Sequence, residues 1–281
     1  ADKTPFLLDV REAAELEKDG YIEGAVNIPV REVLANLDKL PGLDEPIVIY
    51  CASGHRGGTT MAALKLLGYT NVRNLAGGLG AWKKAELPVV TGSLPEAPKV
   101  LSAPIVADQP LFEMLNGFFT QLPDDFYAVK SDKLAEDLTS AAAPTIVDIR
   151  TAEEFGKDGY IKGAVNVPMQ EIFKSLYKLP AKDAPIIINC VSGHRGSIVT
   201  TGLHLLGYTN VKNLAGGLNA WKAAKLPVEG WVDWANVWNE YLTTMPEGYN
   251  TIKAPDLNTA LVEKAPFLLD VREVSEIEKD G

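Results

Sequence analysis

Residues Pro46–Gly68 read PIVIYCASGHRGGTTMAALKLLG, and this stretch decides the fold. It opens on a short apolar run, Ile47–Tyr50, which fits a strand buried on both faces of a parallel sheet. It closes on a helix-like segment from about Gly57 to Leu67 that stops at Gly68. Between them lie Cys51 and a glycine-bearing turn. Strands alternating with helices predict an α/β domain, and in open sheets of that class ligands sit beyond the carboxyl ends of the strands. Cys51 stands at such an end. The N–H groups of a tight turn converge on one point, and the helix N-terminus adds positive potential of roughly half a charge. Both favour a thiolate. His55 and Arg56 are expected to bring cationic or donor groups beside the sulfur, the setting of a nucleophilic cysteine.

Further short apolar runs, PFLLDV at residues 5–10, TIVDI at 145–149 and PIIIN at 185–189, predict more strands of the same kind. EAAELEKDG and VREVLANLDKL read as helices between them. Asp9 and Arg11 end the first strand on the rim that carries Cys51, and Leu75–Gly78, LAGG, closes another strand there.

The chain repeats itself at an offset of 139 residues. DGYIEGAVNIP at Asp19–Pro29 returns as DGYIKGAVNVP at Asp158–Pro168, and YCASGHRG returns as NCVSGHRG at Asn189–Gly196. LLGYTNVRNLAGGLGAWKKAELPV at Leu66–Val89 returns as LLGYTNVKNLAGGLNAWKAAKLPV at Leu205–Val228. The only two cysteines, Cys51 and Cys190, occupy matching places in separate repeats, so a disulfide between them is not expected. A third copy opens at Ala265–Gly281, matching Thr4–Gly20 at 13 of 17 positions.

The expected organisation is a first domain at 1–92 lacking the strand and helix that precede the later copies. A linker and helix follow at 93–122, then a second domain at 123–230, a linker helix at 231–248 and the truncated start of a third repeat at 249–281. Pro- and Ala-rich TGSLPEAPKVLSAPIVADQP suits an extended linker, and Trp231, Trp234, Trp238 and Tyr241 form a helical stripe read as a packing face.

The net charge of −10 and the lack of a Lys/Arg-rich run argue against a nucleic-acid partner. No apolar run approaches the roughly 20 residues that span a bilayer, so a soluble protein is expected, cytoplasmic or extracytoplasmic. Three histidines without a ligand cluster give no expectation of a metal.

Taken together, LLDVRE, GYIEGAVNIP, the cysteine loop, the Leu66–Val89 segment and their second copies resemble the rhodanese family of thiosulfate sulfurtransferases. The resemblance implies tandem rhodanese-like domains, each a small parallel sheet of about five strands flanked by helices. It implies sulfur transfer through a covalent cysteine persulfide, with no other cofactor, from a small anionic donor such as thiosulfate to cyanide or a thiol acceptor. Cys51 and Cys190 would carry the sulfur. The loops Ala52, Ser53, Gly54, His55, Arg56 and Val191, Ser192, Gly193, His194, Arg195 would cradle the persulfide and bind the donor. Asp9, Arg11, Asp148 and Arg150 would support the site. Related phosphatases and arsenate reductases share this fold, but phosphatase loops place five residues between Cys and Arg where this chain has four, a cradle better sized for one sulfur. A persulfide relay, a binding or regulatory scaffold, and self-association through the incomplete terminal repeats are the other readings.

Overall fold

The computed structural model describes residues 4–95, 99–101, 108–230, 234–246, 251–263 and 277–279. The chain divides after Trp231 into two compact units. The first contains both copies of the cysteine loop.

Copy one runs β1 (Phe6–Asp9), α1 (Ala13–Asp19), β2 (Val26–Asn27), β3 (Ile47–Tyr50), α2 (His55–Leu66), β4 (Val72–Asn74) and α3 (Gly78–Lys84). After it comes α4 (Gln109–Thr120). Copy two runs β5 (Ala128–Val129), α5 (Ser131–Asp137), β6 (Thr145–Asp148), α6 (Ala152–Asp158), β7 (Val165–Asn166), β8 (Ile186–Asn189), α7 (His194–Leu205), β9 (Val211–Leu214) and α8 (Gly217–Ala223). All strand pairs are parallel, in the orders β2-β1-β3-β4 and β5-β9-β8-β6-β7. The α/β class and the parallel sheets expected from the sequence are therefore present, with four strands in the first copy and five in the second.

Register explains how separate segments reach one rim. Asp9 pairs with Tyr50 and Ile49 with Asn74, so the last residues of β1, β3 and β4 end together. The second copy repeats this with Asp148 opposite Asn189 and Ile188 opposite Asn213. Every residue of β8 is buried, as a central strand covered on both faces requires. In copy one, Leu8, Ile49, Leu64 and Val72 join one apolar cluster, while Leu16, Tyr21, Ile22 and Leu79 join another.

Helix α4 carries Asp108 as an N-cap that accepts from Leu111 N at 2.9 Å. It buries Leu115 and Phe119 in the core of copy one. Helices α2 and α7 pack against each other, with Thr59 Oγ1 and Thr201 Oγ1 3.3 Å apart. The loop helices of the two copies thus meet face to face.

One expected helix is different in kind. VREVLANLDKL forms two 3-10 segments, Val30–Glu32 and Leu34–Lys39, with a non-helical Asn36 at φ −125°. The Asn36 side chain donates to the Glu32 carbonyl at 2.8 Å, a local bond that competes with the helical ladder.

The second unit contains α9 (Trp234–Thr244) and α10 (Ala254–Glu263). Trp238 and Tyr241 meet edge to face at 5.8 Å. Trp231 and, of the third copy expected at Ala265–Gly281, all but residues 277–279 lie outside the described residues. Among the described residues, no helix is long and apolar enough to cross a membrane.

Candidate active sites

Each cysteine follows a central strand directly and sits 1% exposed beneath its loop; both are free thiols. Gly54 at φ +92° and Gly193 at φ +84° turn the chain into α2 and α7, a backbone state that suits glycine. The turn aims their N–H groups at the sulfur, 3.1 Å from Sγ in each copy. Gly196 N–H adds a 3.4 Å contact to Cys190. At the crest of the loops Ala52, Ser53 and Ser192 are exposed and Val191 is half-buried.

The floor comes from the double-glycine turns. Leu79 N–H donates to the Cys51 carbonyl at 2.8 Å and Gly80 N–H to the Ala52 carbonyl at 2.9 Å. Leu218 and Asn219 do the same for Cys190 and Val191, at 2.8 and 3.0 Å.

Arg56 and Arg195 reach the rim, but neither guanidinium is free. Arg56 donates twice to Glu15, at 2.6 Å each, and Arg195 twice to Glu154, at 2.9 and 2.8 Å. Burial pushes the Glu15 carboxyl up, and the paired Arg56 outweighs it, so the net direction is down. The hydrogen bonds from Arg195 hold the Glu154 carboxyl at about 2. The two glutamates were not singled out in the sequence. They are matching residues of the two repeats, four positions beyond the DVR and DIR arginines, and that repetition is the signal that could have found them.

Asp9, Arg11, Asp148 and Arg150 are fully buried. Arg11 Nε donates to Asp9 at 2.9 Å and Arg11 Nη2 to the Gly20 carbonyl at 2.8 Å. Arg150 repeats both, to Asp148 at 2.9 Å and Gly159 at 2.7 Å. These pairs brace the strand-to-helix corner from which Glu15 and Glu154 extend.

The histidines depart from expectation. His55 lines the cavity over its own loop, but burial disfavours the cationic form of both imidazoles. His55 Nδ1 lies 2.7 Å from Asn213 Nδ2 and His194 Nδ1 lies 2.7 Å from Asn74 Nδ2, so each crosses to the other copy. The cause is the packing of α2 on α7, which turns the first residue of each helix into the contact. Burial lowers the pKa of both imidazoles.

A cavity of about 440 Å³ opens over the first loop, lined by Glu15, Ser53 and Arg56 from copy one and by Asp124 and Phe126 from the start of copy two. The Phe126 ring lies 4.9 Å from the Arg56 guanidinium and 4.7 Å from that of Arg31. Phe126 and Tyr127 adopt φ +50° and +55°, an uncommon state for bulky residues, with the turn held by Tyr127 N–H to Asp125 Oδ1 at 3.0 Å. Copy two therefore supplies one wall of the Cys51 site, a relationship that no sequence motif marked.

The fold and loops define a doubled α/β module with a cysteine at the carboxyl end of each central strand. The profile of the Rhodanese-like domain matches residues 1–85 and again 131–224, and the chain belongs to that family. It is 38% identical over 85 residues to a sulfurtransferase of Allochromatium vinosum, covering 30% of this chain and 78% of that protein. It is 36% identical over 107 residues to the chloroplastic thiosulfate sulfurtransferase 16 of Arabidopsis thaliana, covering 34% of this chain and 88% of that protein. A crystal structure of a rhodanese-like domain protein from Staphylococcus aureus is 32% identical, covering 37% of this chain and 93% of that one, with a TM-score of 0.32.

Proposed function

We propose that the chain is a sulfurtransferase in which Cys51 and Cys190 each carry sulfane sulfur from thiosulfate, or a related donor, to cyanide or a thiol. Membership of the family and the names of its relatives support sulfurtransferase chemistry. The observation that carries the reading is the pair of glycine N–H groups, each 3.1 Å from a sulfur at the base of a loop in which four residues separate cysteine from arginine.

In this scheme the cysteine thiolate attacks the outer sulfur of thiosulfate. The new S–S bond forms as the old one breaks, and sulfite leaves with the bonding pair. The persulfide's terminal anion takes the place the loop N–H groups offer to negative charge. Cyanide or a thiolate then attacks the terminal sulfur, and the cysteine departs as thiolate, giving thiocyanate or a new persulfide. The sulfur stays on cysteine between the two half-reactions, so ping-pong kinetics are expected and the carrier is the persulfide itself. Intact-protein mass after mixing with thiosulfate tests this. One added sulfur per cysteine is expected, lost in Cys51→Ala/Cys190→Ala. An unchanged mass in the parent protein would overturn it.

The grip of Glu15 on Arg56 supports a second reading, in which a less charged persulfide thiol delivers the sulfur in place of dianionic thiosulfate.

A further inference from the structure

The two cysteine cradles are tied together by the residues nearest to them. Asn74 donates from Nδ2 to the Gly54 carbonyl at 2.8 Å, and the same nitrogen lies 2.7 Å from Nδ1 of His194. Asn213 does the reciprocal, donating to the Gly193 carbonyl at 2.7 Å and lying 2.7 Å from Nδ1 of His55. Gly54 and Gly193 are the residues whose N–H groups point at the sulfurs. The chain of contacts runs from the sulfur of one copy, through a glycine and an asparagine, to the histidine of the other.

Hydrogen-bond chemistry fixes the direction of each link. An amide nitrogen has two donor hydrogens and accepts nothing, so each imidazole Nδ1 facing it must be an unprotonated acceptor. Turning the amide over would set its oxygen against the glycine carbonyl, two acceptors face to face. The imidazole proton therefore sits on Nε2, and in His55 Nε2 donates to the Phe126 carbonyl at 2.7 Å. A second proton on Nδ1 would make donor face donor. The imidazole or the amide must then shift, and the glycine carbonyl that Asn74 or Asn213 holds changes partner.

We propose that Asn74 and Asn213 are positioning residues through which each copy's histidine holds the other copy's cysteine cradle, so that the reactivity of Cys51 depends on the charge of His194 and that of Cys190 on the charge of His55. Among the described residues, Arg195 opposes protonation of His194 while the Gly54 carbonyl favours it. Arg56 opposes and Asp125 favours protonation of His55, whose Nε2 bond to Phe126 also favours it. Burial is the largest influence on both and keeps them neutral to lower pH than a free imidazole.

The test reads one copy while changing the other. In a Cys190→Ala background, the rate of Cys51 alkylation by iodoacetamide is followed from about pH 5 to about pH 8, across the ordinary imidazole range. His194→Asn keeps a neutral acceptor near Nδ1, and His194→Ala removes it. The parent should lose reactivity on acidification more steeply than His194→Asn, which has no imidazole to protonate at that position. His194→Ala should be roughly 3- to 10-fold slower near neutrality, the scale of one weakened hydrogen bond to a charged group. Superimposable profiles for the parent and His194→Asn, or a neutral-pH rate in His194→Ala equal to the parent's, would overturn the proposal. Alkylation needs no sulfur donor, so this outcome is independent of whether thiosulfate is a substrate.

Discussion

Gly58 and Ser197 are the same position of the two repeats, and they face each other across the contact of α2 with α7. A Cβ on Gly58 would lie 2.4 Å from Ser197 Oγ and 2.9 Å from His194 Nδ1. Ser197 is 1% exposed and its hydroxyl donates to the His194 carbonyl at 2.8 Å, so it has little room to yield. One glycine and one serine fit where two serines would not. Gly58→Ser should therefore destabilise the protein by about 1–3 kcal/mol, the usual scale of overpacking. The swap Gly58→Ser/Ser197→Gly should recover most of that loss. Urea unfolding of the parent, Gly58→Ser, Ser197→Gly and the swap as a double-mutant cycle measures it, and additive effects of the two single changes would show that the two positions do not touch.

Glu15 competes with any anion for Arg56. Its carboxylate takes both outer nitrogens of the guanidinium at 2.6 Å, which leaves a dianionic donor to displace an ion pair. Glu15→Gln removes the charge and keeps an acceptor for the Glu12 N–H at the start of α1. In a Cys190→Ala background, the KM for thiosulfate should fall roughly 3- to 10-fold, the difference between a charged and a neutral hydrogen-bond partner. An unchanged or higher KM would mean that Arg56 does not receive the donor.

The α/β class, the parallel sheets and the position of each cysteine were legible because apolar runs, glycine turns and an internal repeat are local signals. The strand–Cys51–α2 unit is contiguous, so its chemistry could be read from Pro46–Gly68 alone. What was not legible depends on how the copies pack. His55 and His194 look like partners of the sulfur because they lie four residues after it, and only the packing of α2 on α7 turns them to Asn213 and Asn74. Phe126 is 75 residues from Cys51 in sequence and reaches the site only through the start of copy two. The helix expected at VREVLANLDKL gives way to two 3-10 segments for a local reason, since Asn36 offers its own hydrogen bond to the backbone.

Gly78 and Gly217 are needed for close approach as well as for their turns. Their φ values are +58° and +56°, and a Cβ would lie 2.3 Å from the Cys51 carbonyl in one copy and 2.4 Å from the Cys190 carbonyl in the other. Gly78→Ala must push the loop floor away from α3 and break the Leu79 N–H bond to Cys51. Sulfur loading at Cys51 should fall at least roughly tenfold, because misplacing a reacting group by about 1 Å is enough to cost more than that. Cys190 in the same molecule should load normally. Peptide mapping of persulfides after a short pulse of thiosulfate resolves the two sites, and equal loading of both would refute the expectation.

Glu154 makes stability depend on acid pH in a direction that can be worked out. Its carboxylate accepts from Arg195 at 2.9 and 2.8 Å and from the Thr151 N–H at 2.9 Å. The Arg195 bonds lead in lowering its pKa from the usual 4.5 to about 2, against an opposing push from burial. Between those two values the unfolded chain binds a proton that the folded chain does not. The stabilisation is therefore complete above the unfolded value and is lost as pH falls through the folded one. Partial exposure of the pair keeps the effect modest. Glu154→Gln cannot titrate, so it should be less stable than the parent near neutrality and the gap should close on acidification toward about pH 2. Glu15 shifts in the same direction but is present in both proteins and cancels from the difference. Urea midpoints of the two proteins at several pH values measure the gap, and a gap that stays constant across this window would show that the Arg195 pair does not hold Glu154 ionised.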